Sequence, residues 1–221
     1  MDTEQVDYEE FAQCLRHLEL INHGTLAYRP TLKWIELFTG NKSATSKPLT
    51  ILDVGSGGGD MMRKIYQRYG NVEITGVDMN PLSKLYAMAN TPDNTALNFE
   101  TENVFNLVPK QKPDIIISSL FTHHLTDEQI TLFIRWMDAN ASQGWFINDL
   151  HRHPVAYYFI KVITAILPFN RLVKHDAAVS VARSFNSKDW VRLLNAANIA
   201  EERFTVRWHF PFRYCVQCKT V

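Results

Sequence analysis

The residues able to do chemistry in this chain of 221 fall into three short stretches. The first is Ile51–Asp60, read ILDVGSGGGD. Ile51, Leu52 and Val54 make an apolar run suited to a buried strand. Ser56 then sits among Gly55, Gly57, Gly58 and Gly59, four of the nine glycines in the protein. So many glycines let the backbone turn sharply and approach a ligand closely. Acids flank the run, Asp53 before it and Asp60 at the start of the next helix. In the second stretch, VEITGVDMNP, an apolar run ends on Asp78, 25 residues after Asp53. That spacing is one strand–helix–strand unit, and it puts a carboxylate at the neighbouring strand tip, where ribose hydroxyls are gripped. Met79 follows, placed to cover one face of a purine. The third stretch, Phe121–Leu125, carries His123 and His124 at the carboxyl end of the Asp114–Leu120 run. Ligands bind at such ends in open α/β sheets, and histidine is the natural proton carrier near neutral pH.

The flanking acids narrow the ligand. Gly55 and Gly57 fit the dinucleotide fingerprint, but its third glycine position holds Asp60, a poor neighbour for a pyrophosphate. No Gly-Lys-Ser/Thr follows, so a phosphate loop of the Walker type is absent. The site suits a ligand with positive charge and no phosphate. S-adenosylmethionine has an ammonium, a sulfonium and no phosphate.

DVGSGGGD followed by GVDMNP resembles motifs I and II of class I S-adenosylmethionine-dependent methyltransferases. The overall pattern is most similar to small-molecule methyltransferases of the ubiquinone/menaquinone-biosynthesis type. The resemblance covers residues 48–150 by motif and the tail by architecture. It implies S-adenosylmethionine as cofactor and S-adenosylhomocysteine as product. It places Asp53, Gly55, Ser56, Gly57, Gly59, Asp78 and Met79 around that cofactor. Asn103 matches the slot whose Asp or Asn contacts the adenine amino group, with Val104 beside the ring. Ser118 or Ser119 would lie near the methionine part, and His124 matches a histidine that many of these enzymes carry after strand four.

These residues need a sheet to hold them. Strand-like runs recur at Ile51–Val54, Val72–Asp78, Leu97–Phe99, Asp114–Leu120 and Gly144–Asn148, with helical spacing between them. Ala200–Trp208 and Phe212–Cys218 read as a terminal hairpin. The expected fold is α/β, a Rossmann-like seven-stranded mostly parallel sheet with an antiparallel last strand and helices on both faces. Residues 1–221 read as one methyltransferase domain. Within it, 1–47 form a helical cap and linker, and 151–186 a helical lid or substrate insertion after strand five. Phe11, Leu15, Leu18, Leu32, Ile35, Leu37 and Phe38 are core candidates in the amino-terminal helices, and Tyr28, Arg29 and Thr31 candidates to face the cleft. Thr126 with Gln129 reads as a capping pair, and Ser187 as a further helix cap.

The insertion begins HRHPVAYYFIKVITAIL. Its apolar half, Val155–Leu167, is too short for a membrane span. His151, Arg152, His153, Arg171, His175, Asp176 and Arg183 surround it. An apolar wall rimmed by polar groups suits an acceptor with a greasy body and an acidic or hydroxyl head. Where that acceptor must lose a proton, His124, His151, His153 and His175 are the candidate bases.

Bulk properties exclude other classes. Basic and acidic residues cancel at 23 each, so no basic field argues for nucleic acid. The acidic, polar start shows no signal peptide, and Cys14, Cys215 and Cys218 make no disulfide framework, so a cytoplasmic protein is expected. Cys215-x-x-Cys218 lacks the second ligand pair of a zinc site and reads as strand, and no metal is expected. The function expected is methyl transfer to a small, lipophilic or aromatic acceptor by O- or C-methylation. The alternatives are a non-catalytic S-adenosylmethionine-binding partner or sensor and, less favoured because of Asp60, a nicotinamide oxidoreductase. A homodimer is left open.

Overall fold

The computed structural model describes residues 7–39 and 47–220, and not the side chains of Thr39, Leu172 and His175. Most of the linker expected at 40–48 lies outside the described residues. Two helices come first, α1 (Tyr8–Gly24) and α2 (Arg29–Thr39). Strand and helix then alternate through β1 (Leu49–Val54), α3 (Asp60–Tyr69), β2 (Val72–Asp78), α4 (Pro81–Ala89), β3 (Leu97–Thr101), β4 (Ile115–Ser119), α5 (Asp127–Asn140) and β5 (Gly144–Leu150). Helices α6 (Pro154–Ile166) and α7 (Arg171–Arg183) follow, then α8 (Ser187–Ala196), β6 (Phe204–His209) and β7 (Arg213–Lys219).

The seven strands form one sheet in the order β3-β2-β1-β4-β5-β7-β6. Every pairing from β3 to β5 is parallel, and β7 runs antiparallel to both its neighbours. Successive strand side chains point to opposite faces, and the apolar runs sort accordingly. Leu52, Ile116, Trp145, Ile147 and Val216 pack on the face covered by Ile130, Phe133 and Ile134 of α5 and by Trp190 and Leu193 of α8. Ile51, Ile115, Ile117, Phe146 and Cys215 pack on the other face, against Trp34 and Ile35 of α2 and Met62 and Ile65 of α3. A sheet apolar on both faces must be covered on both, and this chain supplies helices to each.

Local signals set several helix ends. Thr126 and Gln129 make the expected capping box at α5, each side chain accepting from the other's backbone N–H. At α8 the cap is Asn186 rather than Ser187, with Asp189 completing the box. The last hairpin is shorter than expected: Glu201–Arg203 form a 3-10 turn, so β6 begins at Phe204. Leu37 is on the exposed side of α2, while Ile35 and Trp34 fill the core.

Candidate active site

The loop after β1 is shaped by contacts at β2. The N–H groups of Gly55 and Ser56 both donate to the Val77 carbonyl, at 2.9 and 3.2 Å. Gly55 has φ +71°, and a Cβ there would lie 2.7 Å from the Phe121 ring. Positive φ and close approach together require glycine at this position. Gly57, also at positive φ (+51°), donates its N–H to Asp78 Oδ2 at 2.9 Å. Asp78 Oδ1 accepts from Asn80 N–H, and Asn80 in turn caps α4. The expected strand-tip carboxylate thus holds the glycine loop on one side and its own turn on the other.

Three acids converge here. Asp53 is 2% exposed, and burial, then the charges of Asp60 and Asp78, push its carboxyl well above the usual range. Asp60 Oδ2 accepts from the Tyr28 hydroxyl at 2.7 Å and from Asn22 Nδ2 at 3.2 Å. Arg63 reaches the Gly58 carbonyl at 2.6 Å and Glu19 at 3.2 Å. The amino-terminal helices are therefore tied directly onto the glycine loop. A cationic ligand group entering here would stabilise carboxylates that now repel one another.

A cavity of about 730 Å³ opens over this loop, within the ordinary range for small-molecule sites. Of the expected cofactor residues, Asp53, Gly55, Ser56, Gly57, Asp78, Met79, Asn103, Val104 and Ser119 line it. Gly59 and Ser118 stand behind that lining. Gly59 takes a left-handed conformation to start α3, and Ser118 donates to the Val54 carbonyl across β4 and β1. Met79 is 67% exposed, at the mouth. Asn103 Oδ1 accepts from Phe105 N–H at 3.0 Å and keeps a second lone pair. The Ser119 hydroxyl is buried with no partner among the described residues.

At the other end of the cavity the structure joins two residues that the sequence analysis did not pair, His123 and Asp149. His123 is 6% exposed, and its Nδ1 lies 2.7 Å from Oδ1 of Asp149, which is fully buried. Asp149 Oδ2 accepts from the Thr122 hydroxyl and from His123 N–H, and its Oδ1 also accepts from Leu150 N–H. Burial pushes the Asp149 carboxyl up, but the charge and hydrogen bond of His123, with those from Thr122 and Leu150, hold it below the usual range. Asp149 is therefore ionised at neutral pH. It accepts Nδ1–H of His123 and leaves the Nε2 lone pair as the basic site. His124, one of the four candidate bases, also lines the cavity but is exposed, its ring 4.2 Å from that of His123. The signal available in the sequence was an acid at the β5 tip beside two histidines at the β4 tip, on strands that neighbour in this fold.

His151 and His153 sit outside the cavity lining. His153 Nδ1 accepts from Val155 N–H and caps α6, and the His151 ring packs edge-on against Tyr214. Burial, then the charge of His153, lowers the His151 pKa. His175 lies on α7 with its side chain outside the described residues. Of the cleft-facing candidates, Tyr28 lines the cavity, Arg29 is exposed and Thr31 accepts from Asn148 Nδ2 inside the protein. Between His123 and the helices the wall is apolar, from Leu15 and Leu18 of α1, Phe159 and Ile160 of α6 and Val181 of α7. Among the described residues no helix is long and apolar enough to cross a membrane, and no cluster of three His, Cys, Asp or Glu is placed to hold a metal.

Residues 51–144 match the family model described as a methyltransferase domain. Malonyl-(acyl-carrier protein) O-methyltransferase 1 of Ilyobacter polytropus is 31% identical over 130 residues. That match covers 57% of this chain but only 41% of the relative's length. Among solved structures, the plantazolicin methyltransferase bound to S-adenosylhomocysteine superposes with a TM-score of 0.67 at 14% identity, over 96% of each chain. Magnesium protoporphyrin IX methyltransferase of Synechocystis, also with bound S-adenosylhomocysteine, gives 0.61 at 15% identity, over 89% of this chain and 84% of that one. Human N-acetylserotonin methyltransferase with S-adenosylmethionine gives 0.67 at 13%, over 97% of this chain and 56% of that one. Residues 51–144 thus match a methyltransferase domain model, and the chain shares its overall fold with these methyltransferase structures.

Proposed function

We propose that this chain binds S-adenosylmethionine over the glycine loop and transfers its methyl group to a small acceptor in the apolar half of the same cavity. The observation that carries the reading is the continuity of one cavity from the Asp53–Asp60–Asp78 cluster to the His123–Asp149 pair. When bound, the cofactor supplies a methyl group on a sulfonium that departs as a neutral thioether. Asp78 holds the ribose hydroxyls with the lone pairs left after Gly57 and Asn80. Val104 and Met79 flank the adenine, and Asn103 accepts from its amino group. Asp53 faces the cationic end. His123 takes the proton from a hydroxyl or acidic carbon of the acceptor, and Asp149 keeps its ring in the required tautomer. Helices α1, α6 and α7 exclude water and receive the acceptor's lipophilic body.

The whole chain acts as a single domain in this reading, with 1–47 as the cap and 151–186 as the acceptor wall. The three cysteines are buried thiols, none in a disulfide, which supports cytoplasmic residence. The O-methyltransferase relative from Ilyobacter polytropus supports an oxygen acceptor. Titration calorimetry with millimolar S-adenosylmethionine tests the binding half. Wild type gives a saturable heat, and Asp78→Ala weakens binding at least about tenfold, because the carboxylate leaves both the loop and the ribose without an acceptor. Absence of heat in wild type overturns the reading. His123→Ala keeps the cofactor affinity and lowers methyl transfer by about 10²–10⁴.

A further inference from the structure

Arg213, the first residue of β7, is 3% exposed and lines the same cavity. Its Nε and Nη1 are buried with no hydrogen-bond partner among the described residues. A guanidinium cannot shed its proton to escape such a place, so a buried one ordinarily has an anion beside it. The nearby acid is Asp149, on the paired strand β5, where Arg213 stands opposite Leu150. Asp149 is already occupied: each of its oxygens accepts two hydrogen bonds, from His123, Thr122 and the Leu150 N–H. Tyr28, also close, gives its hydroxyl proton to Asp60. The fold therefore carries a buried cation beside the cavity with no hydrogen-bond partner for Nε or Nη1 among the described residues.

Sheet order locates that partner. The glycine loop leaves β1, and β4 and β5 separate β1 from β7. At about 4.8 Å per strand, β7 stands ~14 Å beyond the loop, past the His123 side of the cavity. The Asp53, Asp60 and Asp78 cluster lies at one end of the cavity and this cation at the other, with Phe212 and Leu150 as apolar neighbours in the wall.

Resting on the methyltransferase reading above, we infer that Arg213 is the anion anchor for the methyl acceptor, which is a lipophilic or aromatic acid held by its carboxylate. A guanidinium meets a carboxylate through charge-assisted hydrogen bonds, which are about twice as strong as neutral ones. The carboxylate of the cofactor's own amino-acid end has the same chemistry, and the experiment separates the two sources.

The probes are octanoate and 1-octanol, which differ at the head group, titrated into the chain loaded with S-adenosylhomocysteine. Wild type prefers octanoate by at least about tenfold, as expected for a charge-assisted pair out of water. Arg213→Met abolishes the preference, Arg213→Lys keeps part of it, and S-adenosylhomocysteine affinity stays within about twofold in both. Removing an unpaired buried charge also leaves Arg213→Met melting no lower than wild type. Equal affinity of wild type for both probes overturns the inference, as does a preference that survives Arg213→Met. A variant that unfolds or melts lower makes the guanidinium a structural strut and also overturns it. Loss of S-adenosylhomocysteine affinity in Arg213→Met, with 5′-methylthioadenosine binding unchanged, assigns the fork to the cofactor and overturns the acceptor role. If wild type binds no S-adenosylhomocysteine, the proposed function fails, and the two probes on the unloaded chain still read Arg213.

Discussion

Asp53 and Asp149 are two buried carboxyls pushed in opposite directions, and each direction predicts a measurement. Burial, then Asp60 and Asp78, raise Asp53, so the folded chain holds that proton more tightly than the unfolded one. Stability drawn from Asp53 is present at low pH and lost as pH rises above about 4, the unfolded value. Asp53→Asn is therefore expected to gain melting temperature relative to wild type between about pH 4 and pH 8. A cationic ligand favours the ionised form, so cofactor binding releases a proton, seen as a dependence of the binding heat on the buffer's ionisation enthalpy. Asp149 is held below its usual range, so its contribution is present above about pH 4 and fades as pH falls further. Asp149→Asn should cost about 3 kcal/mol at pH 7, measured by urea denaturation, and less at pH 3. Both acids are plain in the sequence, but only Asp53 stands in a recognisable motif. The pairing of His123 with Asp149 has a local cause: a 3-10 turn over Thr122–His124 buries the first histidine against Asp149 and leaves the second exposed in the cavity lining. No periodicity in the sequence encodes that turn.

Elements were more legible than side-chain roles. The five parallel strands follow apolar runs that alternate between faces, and the glycine run could only join a strand to a helix. The α6–α7 pair reads as an insertion because the segment after β5 is longer than a minimal connection to the next helix. Its division at Pro168, with Asn170 capping α7, is also written in residue types. The attachment of α1 to the loop was not legible, because Asn22, Tyr28 and Asp60 meet only once the chain is folded. That attachment predicts an effect on binding. Tyr28→Phe removes one hydrogen bond to a carboxylate and should lower stability by about 1.5 kcal/mol in urea denaturation. Amide exchange should quicken in α1 rather than in the sheet, with weaker cofactor binding. Unchanged exchange in α1 would detach the cap from the loop.

At the scale of the molecule, the balanced charge hides a polarised interior. Asp53, Asp60 and Asp78 gather at the β1–β2 end of the cavity, the His123–Asp149 pair and Arg213 at the β4–β7 end, and apolar helices close the space between. That arrangement orients a ligand with a cationic centre so that its reactive side faces the second half. A structure with S-adenosylhomocysteine bound tests this most directly. Ribose hydroxyls are predicted within about 2.7–3.2 Å of Asp78, adenine beside Val104, and sulfur toward Phe121 and His123. A nucleoside seated away from the glycine loop, or a sulfur turned from His123, would contradict it.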